Sequence, residues 1–365
     1  MYLIPVLHLP HRKAAVLLTS GKFKIPGKKF KYLLSFLLSA VFLYIAFYDV
    51  DFQEVVRYVA DASLFWIIIY VVVFFFSHYL RAVRWKIILH SVKKDASIKN
   101  LFGALMIGYG VNCVVPRLGE ISRAVFVGRW EGLSKSSLFG TVIIERIIDI
   151  LFLGLAVIVS VYLWSESLYI NFPWLKSTLY ITTILMAGII IFLIMTIKYK
   201  EHFYGFIIKI IGRFSEKYAQ KAVYIFEMLT LGFSSLKGTK NYLLVIFYSI
   251  AIIVIYAGTS YLGFYVIGME KIKEVTFAMG WVLMSVSSIG VIIPTPGGTG
   301  SYHTLAKSAL VLLFGFGEEI SLAYAFITHI IAYVLFIILA IASYLIIDKQ
   351  HENLINVVET KLDEL

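Results

Sequence analysis

Two interrupted apolar stretches decide the fold of this chain: Gly110-Val-Asn-Cys-Val-Val-Pro116-Arg-Leu-Gly119-Glu120 and Ser288-Ile-Gly-Val-Ile-Ile-Pro294-Thr-Pro-Gly297-Gly298-Thr-Gly300. In each, an apolar run stops at a proline and a glycine follows three residues later. Irregular backbone at membrane depth must line a cavity or lie inside protein. Paired breaks in two halves of a membrane protein point to a transport site, so the pattern predicts a carrier.

The composition predicts an integral membrane protein. Of 365 residues, 60% are hydrophobic and 15% are charged, with a mean hydropathy of +0.87, whereas soluble domains carry roughly a quarter charged residues. The single cysteine, Cys113, excludes an intramolecular disulfide and an all-cysteine metal site.

Apolar runs of about 20 residues mark membrane spans. We predict an all-α polytopic protein in which two re-entrant broken hairpins, 100–136 and 274–316, accompany six full crossings at 31–49, 63–82, 138–164, 178–198, 241–267 and 320–347. The predicted divisions are a basic arm at 1–30, a transmembrane domain at 31–348 that contains a cytoplasmic amphipathic segment at 199–240, and a tail at 349–365.

The charges of the loops predict the orientation, because Lys and Arg accumulate in short cytoplasmic loops. Segment 81–99 has six basic residues and one acid, whereas 49–62 has four acids and one arginine. This places both termini in the cytoplasm and, if both hairpins re-enter, makes the two halves an inverted repeat. The alternative is that two unrelated loops carry similar breaks. Segment 200–218 is amphipathic, which predicts an interfacial helix on anionic headgroups that either anchors the loop or recruits lipid.

Glu145, Arg146 and Asp149 lie within a predicted crossing, and each charge there costs about 2.5–3.5 kcal/mol unless it finds a partner or water. They form either a self-neutralising structural cluster or a pathway site. Mid-span His329 is interpreted as a packing residue or a proton relay. Arg81, Arg84 and Trp85 are interpreted as interface anchors, with phosphate contact as the alternative.

The residues after the first break predict a helix that starts near Glu120, whose carboxylate suits the helix dipole and pairs with Arg123. Arg117 is then the candidate for an anionic ligand, since a guanidinium matches phosphate bidentately; the alternative is an arginine that reaches lipid headgroups.

The second break predicts backbone amides that approach a ligand, at Gly297, Gly298 and Gly300, before a helix that begins near Ser301. His303 and Lys307 would lie on a further face of the same pocket. The alternative is a tight re-entrant turn without a ligand. A P-loop is excluded because Gly-Lys-Ser/Thr is missing, and neither a catalytic motif, a metal site, a cofactor site nor a nucleic-acid partner is predicted.

Five motifs in this order resemble the lysylphosphatidylglycerol synthase transmembrane region, also called the flippase-like domain family: Arg81-x-x-Arg84-Trp85, Asn112-x-x-x-Pro116-Arg117-x-Gly119-Glu120, Glu131-Gly132, Glu145-Arg146-x-x-Asp149 and Pro294-Thr-Pro-Gly-Gly-x-Gly300. The resemblance covers residues 30–350 and implies a membrane region that moves an aminoacylated phospholipid between leaflets. In that family a separate carboxy-terminal domain makes the lipid, and the end of this chain at Leu365 predicts that this domain is absent. The resemblance does not say which motif residue contacts lipid, and links of some relatives to polyprenyl-phosphate sugars leave the cargo open.

The predicted function is translocation of a phospholipid or lipid-linked headgroup across the cytoplasmic membrane. The phosphate would be held by Arg117 and the Gly297–Gly300 amides, and a cationic or hydroxyl-rich headgroup would be held by Glu145 and Asp149. The candidate substrate-binding set is completed by Arg84, Asn112, Glu120, Arg146 and His303. The alternatives are a membrane transferase acting on polyprenyl-phosphate sugars and a non-catalytic accessory protein.

Overall fold

Every regular element in the described part of the chain is a helix. The computed structural model describes residues 28–90, 92–164 and 239–348, together with isolated positions between 180 and 191. The predicted basic arm up to residue 27, most of the crossing at 178–198, the amphipathic segment up to residue 238 and the tail at 349–365 lie outside the described residues. Residues from Ser35 onward form one compact unit, and the contacts described below lie within it.

Residues 28–90, 92–164 and 239–348 contain ten α-helices, α1 to α10 in chain order, and three short helical turns at Met269–Lys271, Pro296–Gly298 and Tyr344–Asp348. The helices are α1 Lys28–Phe47, α2 Phe52–Ala60, α3 Leu64–Leu89, α4 Ile98–Val114, α5 Gly119–Glu131, α6 Lys135–Leu163, α7 Thr239–Ile267, α8 Phe277–Ile292, α9 Ser301–Leu312 and α10 Glu318–Ser343.

Three described segments are long and apolar enough to cross a membrane, namely Leu64–Leu89, Lys240–Ile267 and Glu318–Asp348. A fourth exists if α1 and α2 are counted as one broken span, but these two helices meet at 90°. Asp51 is the N-cap residue of α2 after this bend, because its carboxylate accepts a 2.8 Å hydrogen bond from the amide of Gln53. The 29-residue α6 is comparable in length but carries the charges of Glu145, Arg146 and Asp149.

Each of the two breaks separates a pair of short helices. The pairs have 17 and 13 residues at the first break and 16 and 12 residues at the second, and each helix is shorter than the about 20 residues that a crossing needs. The residue before a proline is driven out of the helical conformation. Val115 before Pro116 accordingly has ψ 106°, and Ile293 before Pro294 has ψ 130°.

The helices of each pair pack against one another at a glycine. A side chain on Gly119 would collide with the carbonyl oxygen of Gly108, and one on Gly290 would lie 2.7 Å from the carbonyl oxygen of Ser301. The two breaks therefore close by the same device, direct contact of backbone with backbone.

The larger packing connects the two parts of the chain. Helix α3 packs against α7, α4 against α10, and α6 against α8, while α5 and α9 each contact the long helix that follows them. Buried side chains form one cluster around α3 to α6 and another around α7 to α10. This arrangement brings the tips of the two breaks together.

Helix α1 fastens the second break through hydrogen bonds from side chain to backbone. The hydroxyls of Ser35 and Ser39 donate to the carbonyls of Pro294 (2.5 Å) and Thr299 (2.9 Å). In return, Thr304 donates to the carbonyl of Phe42 at 2.7 Å. These bonds satisfy carbonyls that the irregular backbone of the break cannot satisfy itself.

Candidate functional site

A buried cluster of ionised side chains lies beside the first break, and three helices supply its members. Helix α3 contributes two arginines, α5 one, and α6 an arginine and two carboxylates. We call this set the charge cluster; its members are Arg81, Arg84, Arg123, Glu145, Arg146 and Asp149.

Glu145 is the centre of the charge cluster and is fully buried. Its carboxylate accepts hydrogen bonds from Arg123 (Nη1, 2.7 Å), Arg81 (Nη2, 2.8 Å) and Arg146 (Nη2, 3.2 Å). Its two oxygens are thus occupied by protein donors. They are not free to receive the cationic headgroup that the sequence suggested.

Asp149 holds the other side of the cluster. It accepts a 2.7 Å hydrogen bond from Arg81, contacts Arg146 at 3.3 Å, and forms a very short contact with Arg84. Arg84 is 1% exposed and also donates to Ser249 on α7 at 3.0 Å. Arg81 and Arg84 are therefore buried inside the protein and do not act as interface anchors.

The charges of the cluster do not balance. Four guanidinium groups face the two carboxylates Glu145 and Asp149, which leaves two positive charges, or one if nearby Glu120 is counted. Several buried N–H groups, among them both Nε and Nη2 of Arg123, have no hydrogen-bond partner in the described part of the chain. A buried, uncompensated donor is costly, which is why such groups call for a ligand or water.

A narrow crevice opens onto these donors between α4, α5 and α6. Its lining includes Arg123, Arg146 and Glu120, and one buried oxygen of Glu120 also lacks a partner among the described residues. The crevice has about 10 Å³ for the centre of a water molecule, which is room for about one water. The remaining lining residues are Leu105, Gly108, Tyr109, Asn112 and Gly119.

The first break shapes one wall of the crevice. The side chain of Asn112 accepts a 2.7 Å hydrogen bond from the amide of Gly119 and so fixes the start of α5. Glu120 lies in the first turn of this helix, as predicted. The predicted pairing of Glu120 with Arg123 is wrong, because Arg123 donates to Glu145 instead. The guanidinium carbon of Arg123 also lies 4.9 Å from the centre of the Trp85 ring.

Arg117 lies at the tip of the first break with φ 63°, a conformation that non-glycine residues rarely adopt. Its guanidinium donates to the carbonyl of Ile292 at 3.3 Å, across to the second break. Arg117 is exposed and is not a member of the charge cluster. The two anion-binding candidates of the first half are therefore separate: one on the tip, one in the crevice.

The glycines of the second break have positive φ angles between 57° and 88°. The amide of Gly298 donates to Thr295 (3.2 Å), and that of Gly300 to the Nδ1 atom of His303 (3.3 Å). These two predicted phosphate-binding amides are engaged within the protein. Gly297 packs against Tyr333 and Cys113.

Lys307 and His329 also have protein partners. Lys307 forms a 2.6 Å ion pair with Glu318 and donates to the carbonyl of Ala46 at 3.1 Å. His329 contacts the hydroxyl of Thr299 at 3.3 Å. No group of three or more His, Cys, Asp or Glu side chains placed to hold a metal ion occurs among residues 28–90, 92–164 and 239–348.

Sequence reasoning missed the tyrosines and the serine around the cluster. Tyr256 accepts from Arg81 at 3.2 Å, and Tyr109 lies under the guanidinium of Arg81 at 5.7 Å. Single polar residues in apolar helices carry no signal of their own. Only the crossing of α3, α4 and α7 brings them to the arginines.

Comparisons with known proteins agree with this architecture. The family described as "Lysylphosphatidylglycerol synthase TM region" matches residues 32–340. A UPF0104 membrane protein of Methanocaldococcus jannaschii is 23% identical over 351 residues, which is 90% of this chain and 97% of that protein. A UPF0104 membrane protein of Methanothermobacter thermautotrophicus is 27% identical over 148 residues, 38% of this chain and 42% of that protein. The chain is a membrane protein and belongs to the lysylphosphatidylglycerol synthase transmembrane-region family.

Proposed function

We propose that the protein translocates a phospholipid or a lipid-linked headgroup across the cytoplasmic membrane. The observation that carries this proposal is the crevice in which buried, unpartnered arginine N–H groups meet an excess of positive charge. A guanidinium binds phosphate oxygens through paired, charge-assisted hydrogen bonds, so a phosphate is the ligand that these donors fit. Membership of the family supports a role that involves membrane lipid.

In this proposal the phosphate receives N–H groups from Arg123 and Arg146, while Glu120 accepts from a hydroxyl or ammonium group of the same headgroup. Glu145 and Asp149 hold the arginines in place and do not contact the lipid. The sequence assigned the phosphate to Arg117 and the rest of the headgroup to Glu145 and Asp149; the proposal keeps these two kinds of contact and assigns them to other residues. Arg117 remains a candidate for a first contact at the tip of the break.

The described conformation is a closed one, because a crevice with room for about one water cannot hold a headgroup. Entry of a headgroup requires α5 to separate from α4, which it touches at Gly108 and Gly119. Small residues let two helix backbones approach closely, and here the amide of Gly119 also donates a hydrogen bond to the side chain of Asn112 across the contact. We place the moving part of the transport cycle at this contact.

The two halves of the molecule, α3–α6 and α7–α10, form an inverted repeat in this proposal, with both termini in the cytoplasm. In such a repeat α3 corresponds to α7, α4 to α8, α5 to α9 and α6 to α10. The packing of α3 against α7 then pairs two corresponding helices, and the packing of α4 against α10 corresponds to that of α8 against α6, which is also observed. Such a pattern supports two equivalent units around a central pathway, the arrangement of many secondary carriers. The basic arm and the segment at 199–240 would contact anionic headgroups at the cytoplasmic face.

The test uses purified protein in liposomes that carry headgroup-labelled neutral, anionic, aminoacylated or polyprenyl-phosphate lipids. The expected result is faster leaflet exchange of a chemically unchanged lipid. Because Arg123→Gln removes charged hydrogen bonds of about 1.5–3 kcal/mol each, exchange should fall by roughly tenfold to a hundredfold. Arg57→Gln, which removes a 64% exposed arginine on α2, is the matched control.

Three outcomes would contradict parts of the proposal. Unchanged exchange in a folded Arg123→Gln variant would remove the crevice as the binding site. A lipid that is covalently altered after incubation would make the protein a transferase. Absence of exchange for every lipid, with the headgroups intact, would favour an accessory protein.

A further inference from the structure

Two histidine rings touch at the second break. His303 on α9 and His329 on α10 have ring centroids 4.6 Å apart, and His303 is 3% exposed. Tyr302 stacks on His329 at 5.4 Å, and Tyr333 lies 5.6 Å from it. We call His303 and His329 the histidine pair. Nothing in the proposed headgroup site uses it.

The histidine pair is bonded to the irregular backbone. The Nδ1 atom of His303 accepts a hydrogen bond from the amide of Gly300, the residue that precedes α9. On the other ring, Nε2 of His329 meets the hydroxyl of Thr299. Because Nδ1 of His303 is an acceptor, it carries no proton in this arrangement.

Protonation of the pair would remove this hydrogen bond. A proton at Nδ1 turns the acceptor into a donor that faces the N–H of Gly300. Gly300 has φ 88°, and its backbone lies against the carbonyl of Ser39 in α1, so it is held in place by its neighbours. Loss of the bond frees the start of α9 from its cap.

Imidazole is the side chain whose charge changes near neutral pH. Two imidazoles in contact hold at most one proton between them, because like charges at this distance repel. Lys307, one turn beyond His303, is already paired with Glu318. The other titratable groups around the pair, on the helices packed against it, are Tyr70, Tyr302, Tyr324, Tyr333 and Cys113.

A change at the second break has a direct route to the first. The hydroxyl of Tyr333, one turn after His329, donates to the carbonyl of Cys113 at 2.5 Å. Gly297 lies against both the ring of Tyr333 and the Cα atom of Cys113. A displaced second break therefore presses on the end of α4, which lines the headgroup crevice.

We propose that the histidine pair binds one proton and that this proton releases the second break, which couples the movement of lipid to the proton concentration. In the binding step a hydronium ion gives up a proton and becomes water: one of its O–H bonds breaks, an N–H bond forms at Nδ1 of His303, and the hydrogen bond from the amide of Gly300 is lost. Only the transport readout of this proposal rests on the proposed function. The proton site itself can be tested alone.

The first experiment is a pH titration, followed by nitrogen NMR, of protein in nanodiscs that is labelled with nitrogen-15 at its histidines and glycines. We expect the pair to take up a single shared proton as the pH is lowered below about 6.5, the ordinary pKa of histidine. The amide signal of Gly300 should move with the same midpoint. In His303→Gln the remaining His329 should titrate at a different pH, whereas His90→Gln, at an exposed histidine after α3, should leave the pair unchanged.

The second experiment measures exchange of headgroup-labelled phosphatidylglycerol in phosphatidylcholine vesicles at several pH values. We expect faster exchange at lower pH, by up to about tenfold per pH unit for one proton. His303→Gln should remove this dependence, because the acceptor of the Gly300 amide is lost; His329→Gln should shift the dependence to a different pH, and His90→Gln should keep it unchanged.

The outcomes separate the two proposals. Exchange that is the same at every pH would refute proton coupling and leave translocation standing. Without any exchange, translocation is lost and the titration alone decides the proton site. The proposed proton site would be refuted if both rings stayed neutral throughout the titration, or if the amide signal of Gly300 did not change when the rings became protonated.

Discussion

At the first break, α5 and α6 meet through arginines and carboxylates; at the second, α9 and α10 meet through histidines, tyrosines and threonines. Glu145 and Thr328 each lie ten residues after the first residue of their helices, α6 and α10. Glu145 binds four arginines, whereas Thr328 bonds to Tyr302 and to the carbonyl of Tyr324. Two breaks with the same backbone arrangement thus contain different polar groups, which are ionised side chains at the first break and neutral side chains at the second.

This difference teaches that backbone and polar interior are specified separately. Proline, a following glycine and a glycine contact produce the break in both halves. The side chains inside then decide what each break can bind. Charges make the first half a candidate for a phosphate, and neutral rings make the second half a candidate for a proton.

The largest effect should come from Glu145→Gln. Removing the carboxylate leaves three buried arginines and the half-buried Arg146 with Asp149 alone, and breaking a buried ion pair costs about 3–5 kcal/mol of unfolding free energy. Thr328→Val in the other half should cost only about 1 kcal/mol. Thermal unfolding in detergent compares the two. Equal losses would mean that the halves are not electrostatically different.

The glycine contacts should come next. Gly119→Ala and Gly290→Ala each force a side chain into backbone, which should destabilise the protein by about 1–3 kcal/mol. Gly258, in α7, has open space around it, so Gly258→Ala should be neutral or stabilising by up to about 1 kcal/mol. Chemical unfolding measures all three. If only one of these two alanine substitutions destabilised the protein, the two breaks would not share the same backbone contact.

The bridge between the breaks should have a moderate effect. Tyr333→Phe removes the hydrogen bond to the carbonyl of Cys113 and should lower stability by about 1 kcal/mol. Tyr48→Phe, at a 62% exposed tyrosine, is the control. Hydrogen exchange should also show faster opening at both breaks. Faster opening at one break alone would show that they are independent.

The smallest effect concerns a charge pair outside the candidate spans. Lys93 binds Glu131 at 2.7 Å, and this hydrogen bond raises the pKa of Lys93. A raised lysine pKa stabilises the fold below the pKa of the unfolded chain, about 10.4, and this contribution is lost as pH rises through the folded value.

Lys93→Met should therefore lose at most about 1 kcal/mol at neutral pH, with the difference vanishing in strong base. Lys94→Met tests the neighbouring exposed lysine as a control. If Lys93→Met lowered the unfolding free energy as much as Glu145→Gln does, the burial of the charge cluster would not strengthen its ion pairs.

The sequence predicted the two breaks because proline and glycine act locally. It placed Glu120 at a helix start and put Glu145, Arg146 and Asp149 on one helix by the same local rules. It could not predict that Arg123 prefers Glu145 to Glu120. That choice depends on how α5 crosses α6, and helix spacing says nothing about crossings.

The roles of Arg81 and Arg84 were missed for a related reason. At the end of an apolar helix, arginines look like interface anchors. Their burial follows from the position of α6 and α7, which supply Asp149 and Ser249. The span count, too, depends on residues 165–238, and most of these lie outside the described part of the chain.

The charge cluster also has a consequence for how the protein is made. Arg81 is synthesised 64 residues before Glu145 and 68 residues before Asp149, its two acidic partners. Until α6 leaves the ribosome, the last third of α3 carries two arginines without these partners, and a charge of this kind would cost about 2.5–3.5 kcal/mol at the centre of the bilayer. The nascent helix must therefore wait with its carboxy-terminal end in the aqueous interface. These ion pairs therefore constrain the order in which α3 and α6 enter the membrane, as well as the final fold.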